Sequence, residues 1–104
     1  METGYQTVMM KPEDSVAVAL SEIPAGTTVK VMCQDQTFVV QLQDNIDFGH
    51  KFAVVPIKQG QDVLKYGEVI GVASRDIDVG EHVHVHNVEG KRGRGDKVEY
   101  AKQS

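Results

Sequence analysis

Three of the four histidines of this chain alternate with valine in Gly80-Glu81-His82-Val83-His84-Val85-His86-Asn87. A period of two is that of an extended strand, so His82, His84 and His86 are expected on one face, with Val83 and Val85 pointing the other way toward a core. Imidazole titrates near neutral pH and is the commonest protein metal ligand. Such a row therefore suits a divalent cation, a proton relay or an anion grip. The spacing permits all three and selects none, and a solvated or hydrogen-bonded strand face carries the same pattern.

The fourth histidine lies in Phe48-Gly49-His50-Lys51-Phe52. Gly49 allows close backbone approach, and two cationic or proton-carrying side chains follow it, so the segment reads as an anion-facing loop. Beside the His82–His86 face it completes a cluster of imidazoles with a lysine, able to neutralise a carboxylate or sulfonate and to hold a metal. Asp44-Asn45-Ile46-Asp47 offers carboxylates near His50 and equally the usual residues of a turn. Lys65-Tyr66-Gly67-Glu68 places a lysine and a carboxylate either beside a ligand or on exposed hairpin positions. Arg92-Gly93-Arg94-Gly95-Asp96 reads as a solvated charge run or as a segment that binds an anionic surface or a partner chain. Cys33, in the apolar run from Val29, reads as a buried structural thiol. No phosphate-binding loop, paired CxxC, nucleophile elbow or HExxH helix is present, so catalysis by this chain alone is not indicated.

The elements that must position these residues are short strands. Ile23-Pro24-Ala25-Gly26-Thr27-Thr28-Val29, Ile57-Lys58-Gln59-Gly60-Gln61-Asp62-Val63 and Ile77-Asp78-Val79-Gly80-Glu81-His82-Val83 share the pattern Ile-x-x-Gly-x-x-Val. Each reads as a glycine turn feeding a strand, with apolar residues on either side entering the core. The copies start 34 and then 20 residues apart, too irregular for a solenoid. Val16 to Leu20 alternates large and small residues, and Thr28–Met32 and Phe38–Leu42 are predicted to pair across a turn at Gln34-Asp35-Gln36. Pro56 marks a strand end or edge, and Tyr66 to Ala73 reads as a strand punctuated by glycines. No stretch sustains a 3.6-residue apolar period, so the fold class is mainly β with few short helices. Residues 1–11 are expected to be a loose N-terminus, 12–88 the folded domain, and 89–104 a glycine- and charge-rich tail, suited to docking on a partner.

At 104 residues the chain is one domain with a modest core, too small to enclose a deep active site easily. The 40% hydrophobic and 25% charged residues are those of a globular domain and not of a disordered one. With 11 Lys+Arg against 15 Asp+Glu, the chain lacks the basic footprint of a nucleic-acid binder. A single cysteine forms no internal disulfide, and there is neither a signal pattern nor an apolar run near ~18 residues, so a cytoplasmic protein with no membrane association is expected.

Asp14-Ser15-Val16-Ala17-Val18-Ala19-Leu20, Gly49-His50-Lys51, Lys65-Tyr66-Gly67-Glu68-Val69-Ile70-Gly71, Gly80-Glu81-His82-Val83-His84-Val85-His86-Asn87 and Arg92-Gly93-Arg94-Gly95-Asp96, taken in that order, resemble the N-terminal SAF-type domain of the altronate and galactarate dehydratase family. The resemblance runs from about residue 12 to 96, and the combination of motifs is far more specific than any one of them. It implies a small β-clip fold of short, bent strands. Family members that join both parts in one chain dehydrate hexaric or hexonic acids with a divalent metal, usually iron or manganese, and continue into a much larger catalytic domain. The resemblance thus implies a small subunit of a metal-dependent sugar-acid dehydratase, inactive without a separate large subunit. The related two-subunit sulfolactate sulfo-lyase is the alternative, and a non-catalytic module binding a small carboxylic acid or a partner protein is a further one.

On this resemblance His50, Lys51, His82, His84 and His86 line the small subunit's side of the site. Gly49, Lys65, Tyr66 and Asn87 contact the hydroxy-acid substrate. His82, His84 and His86 are the candidate ligands for Fe2+ or Mn2+, with the large subunit free to supply further ligands and the principal base. A homo-oligomer is compatible with all of this.

Overall fold

The computed structural model describes residues 5–90, which contain nine strands and no helix, in keeping with the mainly β expectation. β2 (Val16–Ala19) is buried along its whole length. It is flanked by β1 (Thr7–Val8) and β5 (Lys51–Ala53), and β8 (His82–Val83) pairs beyond β5, giving the order β1-β2-β5-β8. β3 (Thr28–Cys33) and β4 (Gln36–Gln41) form an antiparallel hairpin over the segments read from sequence, joined at Gln34-Asp35. β6 (Asp62–Lys65) and β7 (Glu68–Ala73) form a second hairpin, to which β9 (Val88–Glu89) adds on the β7 edge.

The repeated turn occurs four times, not three. Its fourth copy is Ile46-Asp47-Phe48-Gly49-His50-Lys51-Phe52, hidden from a pattern search because phenylalanine stands where the other copies have valine. In every copy the glycine has positive φ, at 88°, 84°, 90° and 89° for Gly26, Gly49, Gly60 and Gly80. The backbone N–H after each glycine donates to the carbonyl three residues earlier: Thr27 to Pro24, His50 to Asp47, Gln61 to Lys58 and Glu81 to Asp78. A glycine at the third position of such a turn is what a type II turn requires.

The four copies pair two by two. Ile23 bridges Ile46, and Ile57 bridges Ile77. The four side chains are buried, and each burial contributes roughly 2 kcal/mol. Around each bridge the hydrogen bonds correspond. Gly26 N donates to Leu42 O and Gly60 N to Ala73 O, at 2.7 and 2.9 Å. Asn45 Oδ1 accepts from Ala25 N at 2.8 Å, as Asp76 Oδ1 does from Gln59 N at 2.9 Å. Gly49 N donates to Ala19 O and Gly80 N to Ala53 O, at 2.8 and 2.9 Å. The chain from β2 to Gly49 and the chain from β5 to Gly80 are therefore two halves on one plan, each a strand, a turn, a hairpin and a second turn.

There are two cores, and β2 and β5 each contribute to both. Ala17, Ala19, Val29, Val31, Leu42 and Phe52 belong to the first, with Ile23 and Ile46; Val16, Ala53, Val63, Ala73 and Val83 belong to the second, with Ile57 and Ile77. The alternation of β2 explains the division, since Val16 faces one core while Ala17 and Ala19 face the other. Cys33 is buried in the first core, as read, and burial pushes its thiol up from the ordinary value.

Two expectations need correction. The histidine row is not one strand: β8 ends at Val83, residues 84–87 form a turn, and Val85 is 80% exposed instead of facing a core. The cause is Asn87, whose backbone N–H donates to His84 O at 3.1 Å and draws the chain back into β9. Within the N-terminus expected to be loose, Thr7 and Val8 pair with Ala19 and Val18, and Met9 is buried in the first core. The described residues contain strands and no helix, within the mainly β fold class expected. Of the tail expected over 89–104, Glu89 belongs to β9, and Arg92 to Asp96 lie outside the described residues. No helix among the described residues is long and apolar enough to cross a membrane.

Candidate functional site

The site arises where the second turn of each half meets the other. β5 and β8 are antiparallel, with Phe52 opposite His82 and Lys51 opposite Val83. His50 and His82, 32 residues apart in sequence, come within one hydrogen bond of each other: His50 Nδ1 lies 2.9 Å from His82 Nε2. One proton occupies that contact, so one ring donates and the other accepts. The turn at 84–87 brings His84 over the pair, with ring centroids 4.9 Å from His50 and 5.5 Å from His82, both stacked. His86 is a looser neighbour, its ring tilted 34° and 5.4 Å from that of His82.

Two residues outside the glycine turns, Asn87 and Asp44, hold this arrangement. Asn87 is fully buried. Its Oδ1 accepts from His84 N at 3.0 Å and its Nδ2 donates to His82 O at 2.9 Å. Both ends of the side chain address the backbone of the histidine segment, so Asn87 acts as a positioning residue for His82 and His84. Asp44 Oδ2 accepts from His82 N at 2.9 Å and fixes the start of β8. Sequence reading placed Asp44 in a turn near His50, but nothing in the local pattern signals that it would anchor His82.

Electrostatics favour a neutral ring at His82. The charge of His82 is disfavoured first by burial and then by His50, His86 and His84, with Asp44 opposing, so its proton affinity falls below the ordinary histidine value. Neutral imidazole is the form that binds metal. One ring nitrogen from each of His50, His82 and His84 lies within 4.8 Å of the others. Imidazole nitrogens bound at ~2.1 Å to one tetrahedral or octahedral ion stand ~3.0–3.4 Å apart, and His50 Nδ1 and His82 Nε2 already stand 2.9 Å apart. The donor set thus fits a first-row divalent ion. The trio brought together is His50, His82 and His84, whereas the sequence singled out His82, His84 and His86.

Lys51 does not share the face of His50 and His82. As the strand neighbour of Phe52 it leaves β5 on the face opposite that residue. There it lines a cleft of about 350 Å3 with Lys65, His84, Ile70, Val85 and Val88. Desolvation, followed by the like charge of Lys65, lowers the proton affinity of Lys51. Lys65 ends β6, its Nζ 4.9 Å from the ring centroid of Tyr66. Tyr66 and Gly67 both have positive φ, at 56° and 79°, as a tight two-residue hairpin turn requires. That hairpin is tied down by buried Asp14, whose Oδ1 accepts from Gly67 N at 2.8 Å, and by Ser15 Oγ, which accepts from Leu64 N at 3.2 Å. Gly49 supplies the turn that presents His50, and a Cβ built on it would meet nothing within 4 Å.

Residues 5–91 match the family described as the altronate/galactarate dehydratase SAF domain. The chain is 41% identical over 95 residues to an altronate dehydratase of Escherichia coli K12, and 37% identical over 82 residues to one of Bacillus subtilis. Those alignments cover 91% and 79% of the chain but only 18% and 16% of the two relatives, so it spans less than a fifth of their length. It is also 40% identical over 88 residues to the (2R)-sulfolactate sulfo-lyase subunit alpha of Chromohalobacter salexigens, covering 82% of the chain and 94% of that relative. The protein belongs to the altronate/galactarate dehydratase SAF-domain family.

Proposed function

We propose that this chain is the small subunit of a metal-dependent carbon–oxygen lyase of the sugar-acid dehydratase type, working in the cytoplasm with a separate large catalytic subunit and inactive alone. The observation that carries the reading is the convergence of His50, His82 and His84 from two distant turns onto one point. These three residues would hold the ion, with Fe2+ or Mn2+ the expected occupant. Such an ion polarises the acid group of a hydroxy acid and steadies the enolate-like charge left when the neighbouring proton departs. The chain's own part is to orient and to manage protons. His50, His82 and His84 would have to present unprotonated ring nitrogens to hold the ion, and Asn87 and Asp44 keep the His82–His84 backbone in place.

A second reading, a subunit of a carbon–sulfur lyase acting on sulfolactate, is supported by the 40% identity over 88 residues to a (2R)-sulfolactate sulfo-lyase subunit alpha.

The test is to purify the chain with whatever large protein accompanies it in its source cells, load the complex with Fe2+ or Mn2+, and assay altronate, galactarate and (2R)-sulfolactate. The complex is expected to turn over one of them and the small chain alone none. His82→Ala should lower both metal content and turnover by a factor of roughly 10–100 or more. Unchanged turnover and metal content in a His82→Ala, His84→Ala double variant would sink the proposal.

A further inference from the structure

The cleft beside the imidazole cluster is a distinct feature with its own chemistry. Lys51 from β5 and Lys65 from β6 reach it from separate elements, and both are half-buried. Folding thus gathers two ammonium groups at the cost of desolvation and mutual repulsion, which an anion seated between them offsets. The lining also includes the apolar Ile70, Val85 and Val88, of which Ile70 is 38% and Val85 80% exposed. His84 belongs both to this cleft and to the histidine trio, so the two sites adjoin through one side chain.

Resting on the lyase reading above, we propose that this cleft is a second anion subsite. It takes the distal acid group, carboxylate or sulfonate, of a short dianionic hydroxy acid whose reacting end lies at the imidazole cluster. These apolar side chains offer no hydrogen-bonding group to the hydroxyls of a long polyol chain, whereas two lysines beside apolar side chains suit a compact, strongly charged group. Lys65 is already in place to receive it. The Tyr66 ring lies against its ammonium, and Asp14 and Ser15 anchor the hairpin that carries it. The substrate class that follows is a dianion, in preference to a singly charged hexonate.

The inference is tested on the full chain alone, in chelator, with neither metal nor partner present. Side-chain methyl and lysine NMR signals are followed while malonate, sulfoacetate or altronate is added. The two dianions are expected to shift Ile70, Val85 and Val88 saturably and to bind roughly tenfold more tightly than altronate. Lys65→Gln and Lys51→Gln should each weaken the dianions by about tenfold while the spectrum keeps its folded dispersion, and Lys58→Gln, at an exposed site elsewhere, should not. A preference for malonate identifies a carboxylate subsite and one for sulfoacetate a sulfonate subsite. Altronate binding as tightly as the dianions, or dianion binding untouched by both cleft variants, overturns the proposal. Because metal and partner are absent, failure here is separate from failure of the lyase reading, which is decided by metal content and turnover of the complex.

Discussion

The two turns that build the site, Ile46–Phe52 and Ile77–Val83, share a backbone and differ in what they carry. Where the first has His50 and Lys51 after its glycine, the second has Glu81 and His82. After Gly49 the chain continues as β5 through Ala53; after Gly80 it runs only to Val83 and then reverses. The lesson is that the duplicated scaffold fixes where side chains emerge while substitution at two positions per turn decides the chemistry. Placing one copy opposite the other then brings residues 32 apart into hydrogen-bonding distance.

The glycines themselves give the sharpest test of this comparison. Both need positive φ, which costs a residue with a Cβ about 1–2 kcal/mol. A Cβ on Gly49 meets nothing, whereas one on Gly80 overlaps the Gln41 carbonyl oxygen and crowds the Gln43 amide. Gly80→Ala is therefore expected to destabilise the chain by more than about 3 kcal/mol and Gly49→Ala by only about 1–2 kcal/mol, measured by denaturant unfolding. Equal losses would mean that the two turns are packed alike, against the comparison.

Asn87, beyond the second turn, braces the histidine segment that follows it. Replacing it with alanine leaves the His84 N–H and the His82 carbonyl without their side-chain partner, and the expected loss is about 2 kcal/mol. The same variant should weaken Mn2+ binding, measured by calorimetry, because His82 and His84 lose their shared anchor. Destabilisation with metal affinity intact would separate the brace from the site.

How much of this was legible in the sequence follows the range of the interactions. The hairpin β3–β4 was readable because its alternation and its turn are local. The approach of His50 to the histidine row was foreseen as a conditional, since strand pairing between residues 51–52 and 82–83 leaves no local trace. The strand predicted over His82–His86 failed for a related reason. Its alternation is genuine, but a buried Asn87 outweighs it by closing a turn, and Val85 goes to solvent. Likewise the fourth glycine turn was missed because Phe52 fills the larger first core where Val83 fills the smaller second one. The separation of Lys51 from His50 follows from strand alternation and was open to sequence reasoning, had the loop been read as the start of a strand.

The smallest expected effect compares Lys51 and His82, which occupy the same position in the two turns. Both are pushed toward neutrality, first by burial and then by like charges: Lys65 for the lysine, and His50, His86 and His84 for the histidine. Only the histidine starts from a value, 6.5, near neutral pH. Its folded-state value lies below that of the unfolded chain, so on acidification the unfolded chain takes up its proton first. The contribution of His82 to stability is thus complete above pH 6.5 and is lost as pH falls through the lower folded value. In chelator, unfolding free energy measured from pH 8 downward should therefore decline through and below ~6.5, and His82→Asn should flatten the decline. Asp44→Asn should steepen it, because Asp44 is the one group that favours the charged ring. An unchanged slope in both variants would mean that His82 carries no proton-linked stability near neutral pH.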